Sequence, residues 1–219
     1  MKVQDAYQHW SASYDIVANP TRDLDAQVMR EKFARRRFDR VLELGCGTGK
    51  NTPLLAGIAG ELVAMDFSSA MLEIAQAKVP ATNLSFLVAD LTLPWPLDGA
   101  LFDLITCNLV LEHVQDMQPV FEQARRHLAP GGQFFVCELH PAKQYLGSQA
   151  RFQHQGQEHK IPAFMHHLSD YLKVADLCDL RLMELNEWWD DTSAEQSAPQ
   201  SAPQSLGLPP RLVSFMFGG

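Results

Sequence analysis

The chain has no CxxC pair, no excess of basic residues, no apolar run long enough to cross a bilayer and no apolar leader core, and each absence removes a class of protein. Four cysteines (Cys46, Cys107, Cys137, Cys178) stand far apart in 219 residues, so neither a zinc ribbon nor a thioredoxin-like redox pair is written here. They read as buried free thiols, which suits a reducing compartment. Eighteen Lys and Arg against 26 Asp and Glu leave a formal charge of −8 and a pI near 5.4, the opposite of the basic footprint of a nucleic-acid binder. No stretch approaches the roughly 18 apolar residues of a membrane span. The opening MKVQDAYQHW holds no signal core. The expectation is a cytoplasmic protein with neither nucleic acid nor membrane as partner.

What is present is an ordinary globular mixture, 46% hydrophobic and 20% charged. A chain of this length can bury about 70% of its unfolded surface and needs no covalent staple. Short apolar runs alternate with segments of helical spacing. Val41 to Leu44 ends in Gly45-Cys46-Gly47-Thr48-Gly49, and Thr52-Pro53 follows as a helix start with Thr52 as cap. Leu62 to Met65 closes on Asp66, and Ser68 or Ser69 caps the next helix. Leu84 to Val88, Leu101 to Cys107 and Phe134 to Cys137 are further strands, the last preceded by a helix that stops at Ala129-Pro130-Gly131-Gly132. A helix from Leu168 to Ala175 and strands at Leu180 to Leu185 and Leu212 to Phe217 complete the pattern. Continuous apolar strands separated by helices indicate a parallel sheet covered on both faces, a doubly wound α/β domain.

The glycine-rich turn after the first strand lets a ligand approach the backbone without meeting a Cβ. It is no phosphate loop, because Leu44 and Asn51 stand where glycine and Ser or Thr are required. It is no dinucleotide fingerprint either, since Gly49 follows Gly47 by two residues rather than three. Glu43 beside the turn would repel a pyrophosphate and attract a cation. Glu43, Asp66 and Asp90 close or follow three successive strands, whose ends line one crevice of an open parallel sheet. Ionised carboxylates only accept hydrogen bonds, so Asp66 suits both hydroxyls of a ribose and Asp90 an adenine amino group.

In order and spacing, VLELGCGTGKNT, AMDFSSAML, LVADLTLPW, FDLITCNLVLEHV and LAPGGQFFV resemble the class I S-adenosylmethionine-dependent methyltransferases. The resemblance is close over residues 41–138 and looser in the last two strands. It implies a Rossmann-like, seven-stranded, mostly parallel sheet with a reversed last strand, and S-adenosyl-L-methionine along the strand ends. By position it implies Gly45 and Gly47 behind the methionine portion, Glu43 near its amino end and Asp66 on the ribose. Phe67 and Met71 would flank the adenine, Asp90 and Leu91 would meet its edge, and Asn108 would face the methyl side. Cys107-Asn108-Leu109-Val110 is not the Pro-Pro-Tyr signature of adenine or glutamine methylation, and the cysteines are not those of arsenic methylation. Quinone, biotin-precursor and natural-product types remain, all acting on small molecules.

Outside this core, Tyr7, Trp10 and Tyr14 share one helix face, and the resemblance makes Tyr14 a candidate for the cofactor's carboxylate; an aromatic packing seam is the alternative. His113 lies where the resembled families commonly have a histidine; it reads as a structural hydrogen-bonding residue, with proton transfer the alternative. His140, His154, His159, His166 and His167 crowd the segment after the fifth strand in no usual zinc spacing, so no metal is expected. His140, His166 and His167 are the candidate general bases for a hydroxyl acceptor. The expected organisation is a single methyltransferase domain over residues 1–219: a helical lid (1–38), a cofactor-binding core (39–139), a substrate-side insertion (140–170), and a last helix and strands (171–219). The tandem Ser-Ala-Pro-Gln of 197–204 lies in a loop (191–208) expected to be flexible. The expected activity is methyl transfer to an O, N or C atom of a small molecule. The alternatives are a non-catalytic cofactor-binding protein and, further off, an RNA-modifying methyltransferase.

Overall fold

The computed structural model describes residues 10, 14–15, 18–154, 157–190 and 208–219, without the side chains of 152–159. Tyr7, the tandem Ser-Ala-Pro-Gln and the rings of His154 and His159 lie outside the described residues. Helix α1 (Pro20–Phe33) starts where Asn19 Oδ1 accepts the N–H groups of Thr21 and Arg22, with proline at the first helical position. Then follow β1 (Phe38–Leu44), α2 (Thr52–Ile58), β2 (Ala59–Asp66), α3 (Ser69–Lys78), β3 (Leu84–Val88) and β4 (Phe102–Asn108). A single tight turn (Leu111–His113) leads to α4 (Gln118–His127) and β5 (Leu128–Leu139). The remainder is α5 (Pro141–Tyr145), β6 (Arg151–His154), β7 (Gln157–Lys160), α6 (Leu168–Leu177), β8 (Arg181–Trp188) and β9 (Leu212–Gly218).

Seven strands form one sheet in the order β3-β2-β1-β4-β5-β9-β8. β9 is antiparallel to both neighbours and the other pairings are parallel, so the last strand of the chain is the reversed one. Successive side chains take opposite faces. Leu42, Ile105, Phe134, Val136, Phe215 and Phe217 pack with Val120, Phe121 and Ala124 of α4 and Tyr171, Val174 and Ala175 of α6. Val41, Leu62, Leu104, Phe135, Cys137 and Met216 pack with Val28, Met29 and Phe33 of α1 and Leu55 and Ile58 of α2. Helices therefore cover both faces, as the sequence pattern predicts. All four cysteines are buried and free.

Two local expectations are corrected. Thr52 is the first helical residue rather than the cap, because its hydroxyl donates to Glu43 Oε2 at 2.7 Å; Asn51 holds the cap position but its amide is turned toward Asp25. Ala129-Pro130-Gly131-Gly132 ends α4, yet it belongs to β5 as an irregularity opposite Phe102 to Leu104. Gly132 is required there, since a Cβ would lie 2.8 Å from the Phe102 carbonyl oxygen. The segment after β5 carries α5 and a separate two-stranded sheet, β6 with β7. Its position at the end of a parallel strand puts it on the rim where the ends of β1, β2 and β4 converge.

Candidate functional site

The strand order reverses between β1 and β4, and the chain leaves these neighbours in opposite directions. A cavity of about 420 Å³ opens at their ends, within the range of small-molecule sites. Its floor is the turn from Gly45 to Thr48, with Gly45 and Gly47 at φ of 65° and 55°; Gly49, at 80°, completes the turn beside it. Gly45 is also required sterically: a Cβ there would lie 2.3 Å from Val110 Cγ2. Backbone and side chain thus meet directly at the bottom of the site.

Asp66 holds this turn in place. Its Oδ2 accepts the Gly47 N–H at 2.9 Å and its Oδ1 the Ser68 N–H at 2.8 Å. Burial pushes its pKa up to about 6 against these hydrogen bonds. Burial likewise pushes Glu43 to about 8, with the Thr52 hydroxyl opposing and the neighbouring Asp25 and Asp66 adding to the rise. Asp90 Oδ1 accepts from both the N–H and the hydroxyl of Thr92, and both residues line the cavity. Glu43 and Asp66, held out of water, are costly as charges in an apolar medium. A positively charged ligand relieves that cost.

All ten residues singled out as cofactor contacts line this cavity: Tyr14, Glu43, Gly45, Gly47, Asp66, Phe67, Met71, Asp90, Leu91 and Asn108. Tyr14 packs edge-on against Trp10 at 4.7 Å and under the Arg22 guanidinium at 4.0 Å, so the packing seam and the cavity wall are the same residue. The next residue closes the turn from outside: Thr48 donates to Asp15 Oδ1 at 2.7 Å and Lys78 to Asp15 Oδ2 at 2.8 Å.

The three histidines read as bases do not reach the cavity, and the physical reason is visible in each ring. His140 caps α5: its Nδ1 accepts the Ala142 N–H at 3.1 Å, which leaves the proton on Nε2 for Glu187 at 2.9 Å. No lone pair remains to take a proton. His166 Nε2 is engaged by the Val114 carbonyl at 2.8 Å, and the residue lines a separate, shallower hollow with Asp170 and Lys173. His167 caps α6 and stands beside Tyr145, with ring centroids 5.8 Å apart. Among the described residues no group of three or more His, Cys, Asp and Glu could hold a metal.

Sequence reasoning missed Asp25 and Arg22 of α1. Asp25 is fully enclosed and accepts the side-chain amides of Asn108 at 2.6 Å and Asn51 at 2.7 Å. Burial raises its pKa, and these amides oppose the rise. Each amide gives Asp25 one hydrogen bond, which turns its nitrogen toward the acid and leaves its oxygen as an acceptor for another partner. A DLDAQ helix segment carries no motif; its one signal is an acid at a position of the buried face. His113, read as structural, also lines the cavity.

Residues 42–136 match the family model described as a methyltransferase domain. The demethylmenaquinone methyltransferase of Clavibacter sepedonicus is 34% identical over 102 residues, covering 46% of this chain and 41% of that protein. The trans-aconitate 2-methyltransferase of Rhizobium leguminosarum bv. trifolii is 34% identical over 134 residues, covering 56% of this chain and 47% of that protein. The chain thus spans less than half the length of these two curated relatives. Among solved structures, the complex of DhpI with SAH shares the fold at a TM-score of 0.72 and 21% identity, covering 98% of this chain and 94% of that one.

Proposed function

We propose that this chain, whose residues 42–136 carry a methyltransferase domain, is a class I S-adenosylmethionine-dependent enzyme that moves a methyl group to an O, N or C atom of a small-molecule acceptor. The observation that carries the reading is one cavity at the sheet's switch point, floored by the left-handed Gly45 and Gly47 and walled by the buried carboxylates of Asp25, Glu43 and Asp66. The relatives are named for two unlike small molecules, demethylmenaquinone and trans-aconitate, so the acceptor class is left broad. An acidic chain with a formal charge of −8 agrees with a small-molecule partner better than with RNA.

When bound, the cofactor supplies a methyl group already activated by a sulfonium. The protein's own residues bind, orient and exclude water. Asp66 offers its remaining lone pairs to the ribose hydroxyls while anchoring the Gly47 backbone. Phe67, Met71 and Leu91 suit the adenine faces, and Asp90 its amino edge. Glu43 and the amide oxygens of Asn51 and Asn108 give the cationic end acceptors and negative charge. Arg22, stacked on Tyr14, suits the carboxylate. Residues 1–38 are assigned as lid, 39–139 as cofactor core, 140–170 as substrate-side insertion and 171–219 as the closing helix and strands.

Calorimetry with adenosylhomocysteine and with NADH tests the cofactor assignment. Binding of the first and not the second is expected, and tighter binding of NADH would overturn it. Screening metabolites for adenosylhomocysteine release then identifies the acceptor.

A further inference from the structure

Asp25 is the one charged residue on the buried face of α1, among Leu24, Ala26, Val28, Met29 and Phe33. A carboxylate there loses its water and needs hydrogen bonds in return. Each of its oxygens takes a side-chain amide: Oδ1 accepts from Asn108 Nδ2 at 2.6 Å and Oδ2 from Asn51 Nδ2 at 2.7 Å. The Cys137 thiol hydrogen-bonds the same group. Burial favours the neutral acid, and these three donors oppose it. An acceptor facing both amides admits one orientation of each, with the nitrogen toward Asp25 and the oxygen away from it. Asn51 precedes α2, Asn108 ends β4, and both line the cavity with Asp25 and Glu43. Backbone pairing fixes where they stand: the Asn51 carbonyl accepts the Leu55 N–H at 3.1 Å, and Asn108 is in register with Cys137 of β5. With the backbone fixed, only the turn of each amide is left to choose, and a residue of α1 makes that choice.

We propose, on the strength of the methyltransferase reading above, that Asp25 is a positioning residue for ligand specificity: by holding the nitrogens of Asn51 and Asn108, it presents their oxygens to the α-ammonium of the cofactor. An ammonium only donates, so amide oxygens accept it and amide N–H groups oppose it. Glu43 at the end of β1 is the neighbouring acceptor, held by the Thr52 hydroxyl at 2.7 Å. Asp25 acts through the two amides rather than on the ligand. A purely structural clasp between α1 and the sheet would need the same hydrogen bonds but would set no preference among ligands. Because the cluster joins α1, the start of α2, β4 and β5, one carboxylate sets both the seating of the helix and the polarity of this part of the wall.

Asp25→Asn is the decisive variant. It keeps the shape but offers one oxygen and one nitrogen, so one of the two partner amides must turn its own nitrogen to the cavity. Calorimetry compares adenosylhomocysteine with its analogue lacking the α-amino group, and the wild type should prefer the amine. Asp25→Asn should bind adenosylhomocysteine ~10–100-fold more weakly and the analogue within about twofold of the wild type. Combining Asp25→Asn with Asn108→Asp restores the match. The introduced amide then accepts from Asn51 and donates to the introduced carboxylate, whose other oxygen is left for the ligand. This pair should recover the preference for the amine to within about threefold of the wild type. A crystal structure of the wild type with adenosylhomocysteine should place the amino nitrogen within about 3.2 Å of Asn51 or Asn108 Oδ1. An amino group bound elsewhere would overturn the role, even were Asp25→Asn unable to fold. Equal loss of both ligands in folded Asp25→Asn, an unchanged preference, or a double variant that stays weak for the amine would each overturn it too. A wild type that binds neither ligand would overturn the methyltransferase reading, and the role of Asp25 with it.

Discussion

Glu43, Asp66 and Glu138 are acids at strand ends whose charge the folded chain resists. Glu138 Oε1 accepts the N–H groups of Val110 and Leu111 at 2.9 Å each, while its Oε2 is buried with no hydrogen-bond partner. Burial pushes its pKa to about 8, with those two N–H groups opposing and Glu112 and Asp25 adding to the rise. For such groups the folded state binds the proton more tightly than the unfolded one. The stability they contribute is complete below the ordinary carboxylate range and is lost as pH rises through about 8 for Glu43 and Glu138, and through about 6 for Asp66. Thermal melts of the unliganded protein should therefore fall as pH rises from about 4.5 to about 8 and level off above it, and Glu138→Gln should flatten the fall. A flat wild-type curve would contradict the burial of these charges. Asp15, Glu184 and Asp190 have lowered pKa values, so their effect is confined to the acid side of this window. Asp66→Ala, measured by calorimetry with adenosylhomocysteine, should lose ~2–3 kcal/mol of binding, on the scale of one or two charge-assisted hydrogen bonds. Unchanged affinity would remove Asp66 from the ribose.

The turn from β1 into α2 is where element geometry and site coincide. Its three left-handed glycines let the chain reverse, and Gly45 alone both needs that conformation and faces Val110 without room for a methyl. Gly45→Ala should destabilise by about 1–3 kcal/mol through strain and overpacking, and should weaken adenosylhomocysteine binding because Val110 must shift toward the cavity. Chemical denaturation and calorimetry read the two effects separately. Stability loss with intact binding would place the strain outside the ligand's path. The motif was legible because glycines in a strand-to-helix turn have few other uses. The contribution of α1 was not, since Asp25 lies in a segment whose spacing announces only an amphipathic helix.

At the scale of the whole molecule, the two ends of the 191–207 connection are tied by neighbours. Arg211 pairs with Asp190 through both its Nε and Nη2, and Trp189 Nε1 donates to the Leu208 carbonyl at 3.2 Å. β9 then enters between β5 and β8 with Val213, Phe215 and Phe217 buried. Loop closure varies by only ~0.6 kcal/mol per doubling of length, so deleting residues 197–204 should leave the melting temperature within a few degrees. A large drop would show that those residues pack.

Local pattern alone determined the alternation of strands and helices, the glycine turn and the register of Glu43, Asp66 and Asp90 at successive strand ends. Each rests on a period or a turn that neighbouring residues dictate. The tertiary structure decided which side chains share the cavity from distant elements: Asp25 and Arg22 from α1, and His113 from the turn after β4. It also decided what each histidine ring meets. A ring's tautomer is set by its partners, and the partners come from elsewhere in the chain: Glu187 for His140, Val114 for His166 and Pro162 for His113. Long-range hydrogen bonds leave no periodic trace in a sequence, so the insertion's histidines stood out as chemistry while the one facing the cavity read as structure.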